Sequence, residues 1–272
     1  MKTFLHVLIF LCSCGLYSQG YKTLKIERKD VDVNNVIFNA GCVFVYDYEI
    51  IIDGLKYKLN SNGSIWDDSF GLVKEIDDTL NLEIHLLVPE FLKSDRTNKN
   101  QTEVCYLFSS DLNRFSRTGI VENSDNVWIH PPREGFFRAL ETCPFPYIKL
   151  PIEVGAQWSD KMTIGAHWSN ELWGVWSNKL VLNYNYTITG REIVTTSFGD
   201  IGCFVVESVA LSAVGQSALK SFFSEVYGFV RLEYQMSTGL KVNLWLTAFS
   251  SNEKLSYPSG VINYTNSLKT SD

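Results

Sequence analysis

The stretch WSNELWGVWSN, Trp168 to Asn178, holds three of the chain's seven tryptophans, with His167 just before it. Indoles at that density serve one of two purposes. They form a pocket mouth or stacking platform for a sugar, lipid or peptide, or they are buried core. Burial of one indole contributes about 2–3 kcal/mol by apolar area, and three left exposed would make an aggregation-prone patch. One or two of them should therefore be inside, with the ring N–H groups meeting partners. A second aromatic strip, WIHPPREGFFRALETCPFPYIKLP, begins at Trp128 and mixes Arg133, Arg138 and Lys149 with Phe136, Phe137, Phe145 and Tyr147. It reads either as a lip for an amphipathic ligand, with arginine for an anionic head group, or as a long connection covering one open end of a sheet. The candidate ligand-binding set is Trp128, His130, Arg133, Phe136, Phe137, Trp158, Trp168, Trp173 and Trp176.

Catalytic signals are weak. Beyond the first twenty residues the histidines are His85, His130 and His167. No HExxH or HxH pair occurs, so a metal centre would need ligands converging from distant segments, and neither metal nor cofactor is expected. No Gly-x-Ser-x-Gly elbow and no phosphate-cradling glycine loop is present. Cys143 and His130 are near each other only along the chain. An exported hydrolase built around His130, Arg133, Glu134 and His167 is the enzymatic alternative. His85 shares a strand face with Glu83 and Leu87 in LNLEIHLL and reads as half-exposed.

The opening MKTFLHVLIFLCSCGLYSQG has a small basic start, Lys2, and an apolar run from Phe4 to Leu11. That run is too short for a bilayer core of roughly 30 Å, so it reads as a secretory leader. Cleavage after Ser18 gives a leader over residues 1–18. Alternatively, Leu11-Cys12-Ser13-Cys14 resembles a lipoprotein box, with Cys14 as the lipid attachment point. Cys42, Cys105, Cys143 and Cys203 remain, widely spaced and without CxxC; export permits disulfides, and buried free thiols are the other reading. The net charge of −6 and the lack of a basic patch exclude a nucleic-acid role.

The elements that would position these residues are strands. Leu180, Leu182, Tyr184, Tyr186 and Ile188 alternate with polar residues in LVLNYNYTIT; Val242, Leu244, Leu246 and Ala248 do so in KVNLWLTAF, and Val230, Leu232 and Tyr234 in FVRLEYQ. Period-two alternation indicates antiparallel sheet with one face buried. Asp53-Gly54 predicts a type I′ hairpin; turns are expected at Asp77–Thr79, Thr189-Gly190 and Ser237–Gly239. AVGQSALKSFFSEVYG is compatible with a short helix or a strand. The Ser- and Asn-rich tail after Tyr257 is expected to fray.

The sequence GxxFxYDYEIxxDG from Gly41, then Gly155 and Trp158, REIVTTSFGDIGCFVVES and SFFSEVYGFVRLEY resemble the exported bacterial domains called TapB-like. The resemblance covers about residues 40–250 and implies a strongly curved sheet similar to the lipoprotein carriers LolA and LolB. Gly199-Asp200-Ile201-Gly202 stands where that family has Ala-Gly-Thr-Phe, and the family supplies no catalytic residues to carry over.

The expected architecture is mainly β: a curved antiparallel sheet of roughly eight to twelve strands forming a half-open or closed barrel, with little helix. Residues 19–257 are expected to form a single domain and 258–272 a flexible tail. The expected function is non-catalytic: an exported envelope protein that binds a lipid or other apolar molecule, or an envelope partner protein. A structural surface-assembly role is a further alternative.

Overall fold

A computed structural model of the chain describes residues 24–26, 31–59, 70–74, 83–109 and 111–269. The leader, the Cys14 box and the turn expected at Asp77–Thr79 lie outside the described residues. The fold is mainly β, a curled antiparallel half-barrel. Its strands are β1 (Val43–Ile52), β2 (Leu55–Leu59), β3 (Leu72–Lys74), β4 (Ile84–Leu87), β5 (Thr102–Phe108), β6 (Asp111–Glu122), β7 (Asn126–Ile129), β8 (Tyr147–Lys149), β9 (Gln157–Gly165), β10 (Lys179–Thr196), β11 (Gly199–Ser212), β12 (Gly215–Ser224), β13 (Gly228–Gln235) and β14 (Lys241–Ser250). Twelve of them form one path, β8-β7-β6-β5-β4-β1-β14-β13-β12-β11-β10-β9, and β2 with β3 extends sideways from β1.

Alternation decides which face turns inward. Leu180, Leu182, Tyr184, Tyr186 and Ile188 are all buried, and Val230, Leu232 and Tyr234 repeat the pattern on β13. The segment that suited either helix or strand is β12, whose aromatics Phe222 and Phe223 pair with β11 and β13. At the β1–β2 hairpin Asp53 and Gly54 both have positive φ, 51° and 77°, as a type I′ turn requires.

Two expectations are corrected by bulges. Thr189-Gly190 is no turn: β10 runs through it for 18 residues, with a register shift against β11 between Ile188 and Gly190. Ala248 is exposed because β14 slips against β1 between Val45 and Tyr46, which turns Phe249 toward Phe44, 5.1 Å away. An extra residue on one strand reverses the phase of everything beyond it.

The two margins of the path approach each other through side chains. Tyr147 of β8 meets Trp158 of β9 at 5.4 Å, and Trp158 stacks on Tyr186. The chain entering at Leu24 bridges this seam: its N–H donates to Asp160 Oδ2 at 3.2 Å, and the N–H of Lys25 donates to Asn126 Oδ1 at 3.2 Å.

Within the segment expected to fray, Ser259–Lys269 form helix α1. Val261 joins Val43, Val45, Leu87, Phe91, Cys105 and Leu255 on the convex face, and Gly260 lies so close to Lys254 that a Cβ would stand 2.5 Å from its carbonyl oxygen. Tyr264 Oη lies 3.0 Å from His85 Nδ1, so His85 is buried rather than half-exposed. That burial holds its pKa down, at about 4.

Candidate functional site

The β12–β13 and β13–β14 turns lie at opposite ends of β13, so the half-barrel has two distinct ends. The tryptophan stretch occupies the β13–β14 end. Asn170 and Gly174 exchange backbone hydrogen bonds of 3.0 and 2.8 Å, closing a tight reversal in which Gly174 has a φ of 128°. That reversal drives Trp173 inward to 1% exposure, where its Nε1–H donates to the Trp168 carbonyl at 2.8 Å. Trp173 packs edge-on to Phe136 at 6.0 Å. Trp168 and Trp176 are half-buried, and the Arg138 guanidinium lies 5.2 Å over the Trp168 ring. The Nε1 of Trp176, like that of Trp158, has no partner among the described residues.

Phe136 and Phe137 belong to a 3-10 helix, Gly135–Thr142, that plugs this end. Phe137 stacks on Phe108 at 5.6 Å and meets Tyr48 edge-on at 5.2 Å. Ser217 Oγ donates to the Thr142 carbonyl at 2.6 Å, tying the plug to β12. Phe136, Phe137 and Leu140 are all essentially inaccessible. Exposing each would cost about 2 kcal/mol, so the plug stays in. Of the sequence-predicted set, the structure joins Phe136 with Trp173, and Trp128 with His130 at 5.9 Å. Trp158 sits apart at the seam, and no direct contact joins it to the other tryptophans among the described residues.

The plug carries one half of a polar pair: its buried Glu141 faces His130, which is partly exposed. His130 Nδ1 is 2.9 Å from the Pro131 carbonyl, which fixes the proton on Nδ1 and leaves Nε2 bare. Nε2 lies 3.2 Å from Glu141 Oε1, an oxygen with no other partner. Burial drives the two apart: the carboxyl is raised to about 7 and the imidazole lowered to about 4. Arg133 opposes the first shift and adds to the second. The imidazole is therefore neutral at pH 7, while the carboxyl is about half protonated there. Cys143 is buried nearby on the same strip, and burial pushes its thiol up to about 12, far from a reactive thiolate. Cys42, Cys105 and Cys203 are likewise buried free thiols. No group of three or more metal-ligating side chains occurs among the described residues.

The other end is different. A cleft of about 370 Å³ opens there, with walls of Val36, Ile37, Val127, Leu150, Ile152 and Phe223. Its polar lining is Asn34, Glu122, Asn123, Ser124 and Glu225. One carboxylate shapes it: Glu122 accepts the N–H groups of Val36, Ile37 and Phe38 at 2.8, 2.9 and 2.9 Å. Those bonds fold the segment before β1 onto the end of β6. Asn35 Nδ2 donates to the Phe38 carbonyl at 2.8 Å and to Thr102 Oγ1 at 2.9 Å. Asn123 Oδ1 accepts from the N–H groups of Asp125 and Asn126 and sets the β6–β7 turn. Gly228 has a φ of 68°, and a Cβ there would fall 2.9 Å from the Phe38 ring. No residue of the candidate ligand-binding set expected from the sequence lines this cleft. The Asn-rich turns around 34–35 and 123–126 were its only local signals, and the contact from Glu122 spans 84 to 86 residues. A second cleft, about 330 Å³ and more polar, lies at the tryptophan end between Ile51–Gly54, Glu171-Leu172 and Thr238–Lys241.

No family model matches the sequence. No curated protein matches it either. Among solved structures, the chain is similar to a candidate lipoprotein from Parabacteroides distasonis, with 12% identity, a TM-score of 0.44, and 79% of this chain and 97% of that one covered. A candidate exported protein with a YmcC-like fold from Bacteroides fragilis gives 10% identity and a TM-score of 0.43, over 78% of this chain and 97% of that one. The hypothetical lipoprotein YmcC from Escherichia coli gives 10% and 0.33, over 75% and 84%. With TM-scores below 0.5, these likenesses lend no function to this chain.

Proposed function

We propose that this chain is a non-catalytic, exported envelope protein that binds the apolar part of an amphipathic small molecule in the cleft beside Glu122. The observation that carries this reading is the contrast in lining. The cleft has six apolar side chains around about 370 Å³ of space, within the size range of small-molecule sites. At the tryptophan end the chain's own aromatics pack on one another, and the cleft beside them is smaller and more polar. Val36, which lines the cleft, is 76% exposed, and Val226, beside Glu225, is 65% exposed. These valines give the mouth an apolar approach. The hydrolase alternative gains no support from His130 and Glu141: the carboxyl is buried within the plug helix, away from the open cleft.

The chain enters the described fold beside this cleft. Lys25 is tied to Asp125 at 2.6 Å, and Asn123 Nδ2 donates to the Lys25 carbonyl at 3.2 Å. If Cys14 carries acyl chains, the eleven residues to Lys25 reach at most about 40 Å. Such a tether would keep the mouth close to the lipid surface from which an amphiphile is drawn. The test is a fluorescence titration with the neutral apolar dye N-phenyl-1-naphthylamine. Ile152→Trp, which fills the cleft, should weaken binding at least about tenfold, and Trp168→Ala should leave it unchanged. Loss of binding in Trp168→Ala with none in Ile152→Trp would place the site at the other end.

A further inference from the structure

We infer that the cleft discriminates by head group, favouring neutral and cationic amphiphiles over anionic ones, and that Glu225 is the residue that sets this preference. The inference rests on the cleft being the binding site, as proposed above. It departs from the sequence expectation, in which arginines of the Trp128 strip received an anionic head. Those arginines are at the plugged end: Arg138 covers Trp168 and donates to the His167 carbonyl. The cleft's polar lining contains two carboxylates, two carboxamides and a hydroxyl, and no lysine, arginine or histidine.

The two carboxylates play different parts. Glu122 is 5% exposed, and both its oxygens are taken by the backbone N–H groups of residues 36–38. It holds the wall in place. Glu225 is exposed at the mouth, in the turn between β12 and β13. Ser224 Oγ accepts the N–H groups of Val226 and Tyr227 at 3.2 and 3.4 Å, which steadies that turn. No cation pairs with Glu225 among the described residues, and Lys25, a base beside this end, is held by Asp125. A head group leaving the apolar walls therefore meets a free negative charge. A carboxylate or phosphate there is repelled, and a quaternary ammonium is attracted, over a distance shorter than the screening length of physiological salt, about 8 Å.

The test uses the full chain at pH 7.5 and three amphiphiles with the same tail: octyltrimethylammonium, octyl glucoside and octanoate. Each is used below its micelle concentration to displace N-phenyl-1-naphthylamine. The expected order is octyltrimethylammonium, then octyl glucoside, then octanoate, with about a tenfold gap between the ends of the series. Glu225→Gln should shrink that gap to about twofold, and added salt should shrink it in the wild type. Octanoate binding as tightly as octyltrimethylammonium, or a gap that survives Glu225→Gln, would overturn the head-group inference and leave the cleft standing. Failure of all three to displace the dye would remove the cleft reading as well.

Discussion

The two ends of this half-barrel are made from different materials, and the difference separates aromatic richness from binding capacity. At the end with the most conspicuous residues the aromatics are packed shut, and the cleft beside them is the more polar of the two. Trp173, Phe136 and Phe137 pack on one another and on strands β1 and β5, and the 3-10 helix that carries the phenylalanines is pinned to β12. The end with inconspicuous residues, valines, isoleucines and asparagines, keeps an open cleft because one carboxylate holds its wall back. Large aromatic side chains fill space. A cavity persists where medium-sized apolar side chains line a wall whose position is fixed by hydrogen bonds from elsewhere.

The largest expected effect comes from changing one side chain at each end. Trp173→Ala should lower unfolding free energy by about 3–5 kcal/mol, the usual cost of a cavity at a buried aromatic. Ile152→Trp should change it by less than about 1 kcal/mol, because that side chain faces open space. Urea melts of the two variants check this, and equal losses would show that the ends are packed alike.

The next effect is electrostatic and belongs to the plugged end. Glu141 has a folded pKa of about 7, above its ordinary value near 4.5. The folded state therefore holds a proton that the unfolded chain has lost, and the carboxyl's contribution, complete below about pH 4.5, declines as pH rises to about 7. His130 and His85, both near 4 when folded, act oppositely: stability is gained as pH rises from about 4 to 6.5. Wild-type stability should thus climb from pH 4 to 6.5 and dip slightly above it. The stability of Glu141→Gln minus that of wild type should increase by about 3 kcal/mol between pH 4 and pH 8. A flat difference across that range would mean that Glu141 is ionised or solvated in the fold.

A smaller change is expected at the cleft end. Glu122→Gln keeps the shape but replaces a charged acceptor of three N–H groups with a weaker one, at a cost of about 2 kcal/mol. It should also weaken dye binding, since the wall at 36–38 loses its anchor. Stability lost with binding intact would separate the cleft from its support. Smallest of all, Tyr264→Phe removes the hydroxyl that meets His85 and should cost about 1 kcal/mol in a denaturant melt, with no effect on ligand.

The strands and their inward faces were legible because one buried face imposes a period of two, and LVLNYNYTIT displays it without interruption. The Asp53-Gly54 turn was legible for a similar local reason. Failures arose where a distant segment decides a local outcome. His85 looked half-exposed because nothing near it in sequence announces that Tyr264 will cover it, and the covering helix looked like a fraying tail because its burial involves little more than Val261 and Tyr264. Gly190 and Ala248 were misread because a bulge is a property of two strands in register, not of one. The candidate site was missed most completely. Val36, Val127, Ile152 and Phe223 come from four parts of the chain, and only the fold makes them neighbours.

The most direct measurement is a ¹H–¹⁵N correlation spectrum of the protein titrated with N-phenyl-1-naphthylamine. Shifts should concentrate at the amides of Val36, Ile37, Ser124, Val127 and Ile152, while the Nε1–H signals of Trp168, Trp173 and Trp176 stay still. Movement confined to those indoles and to Phe136 and Phe137, with the Glu122 end silent, would contradict the account.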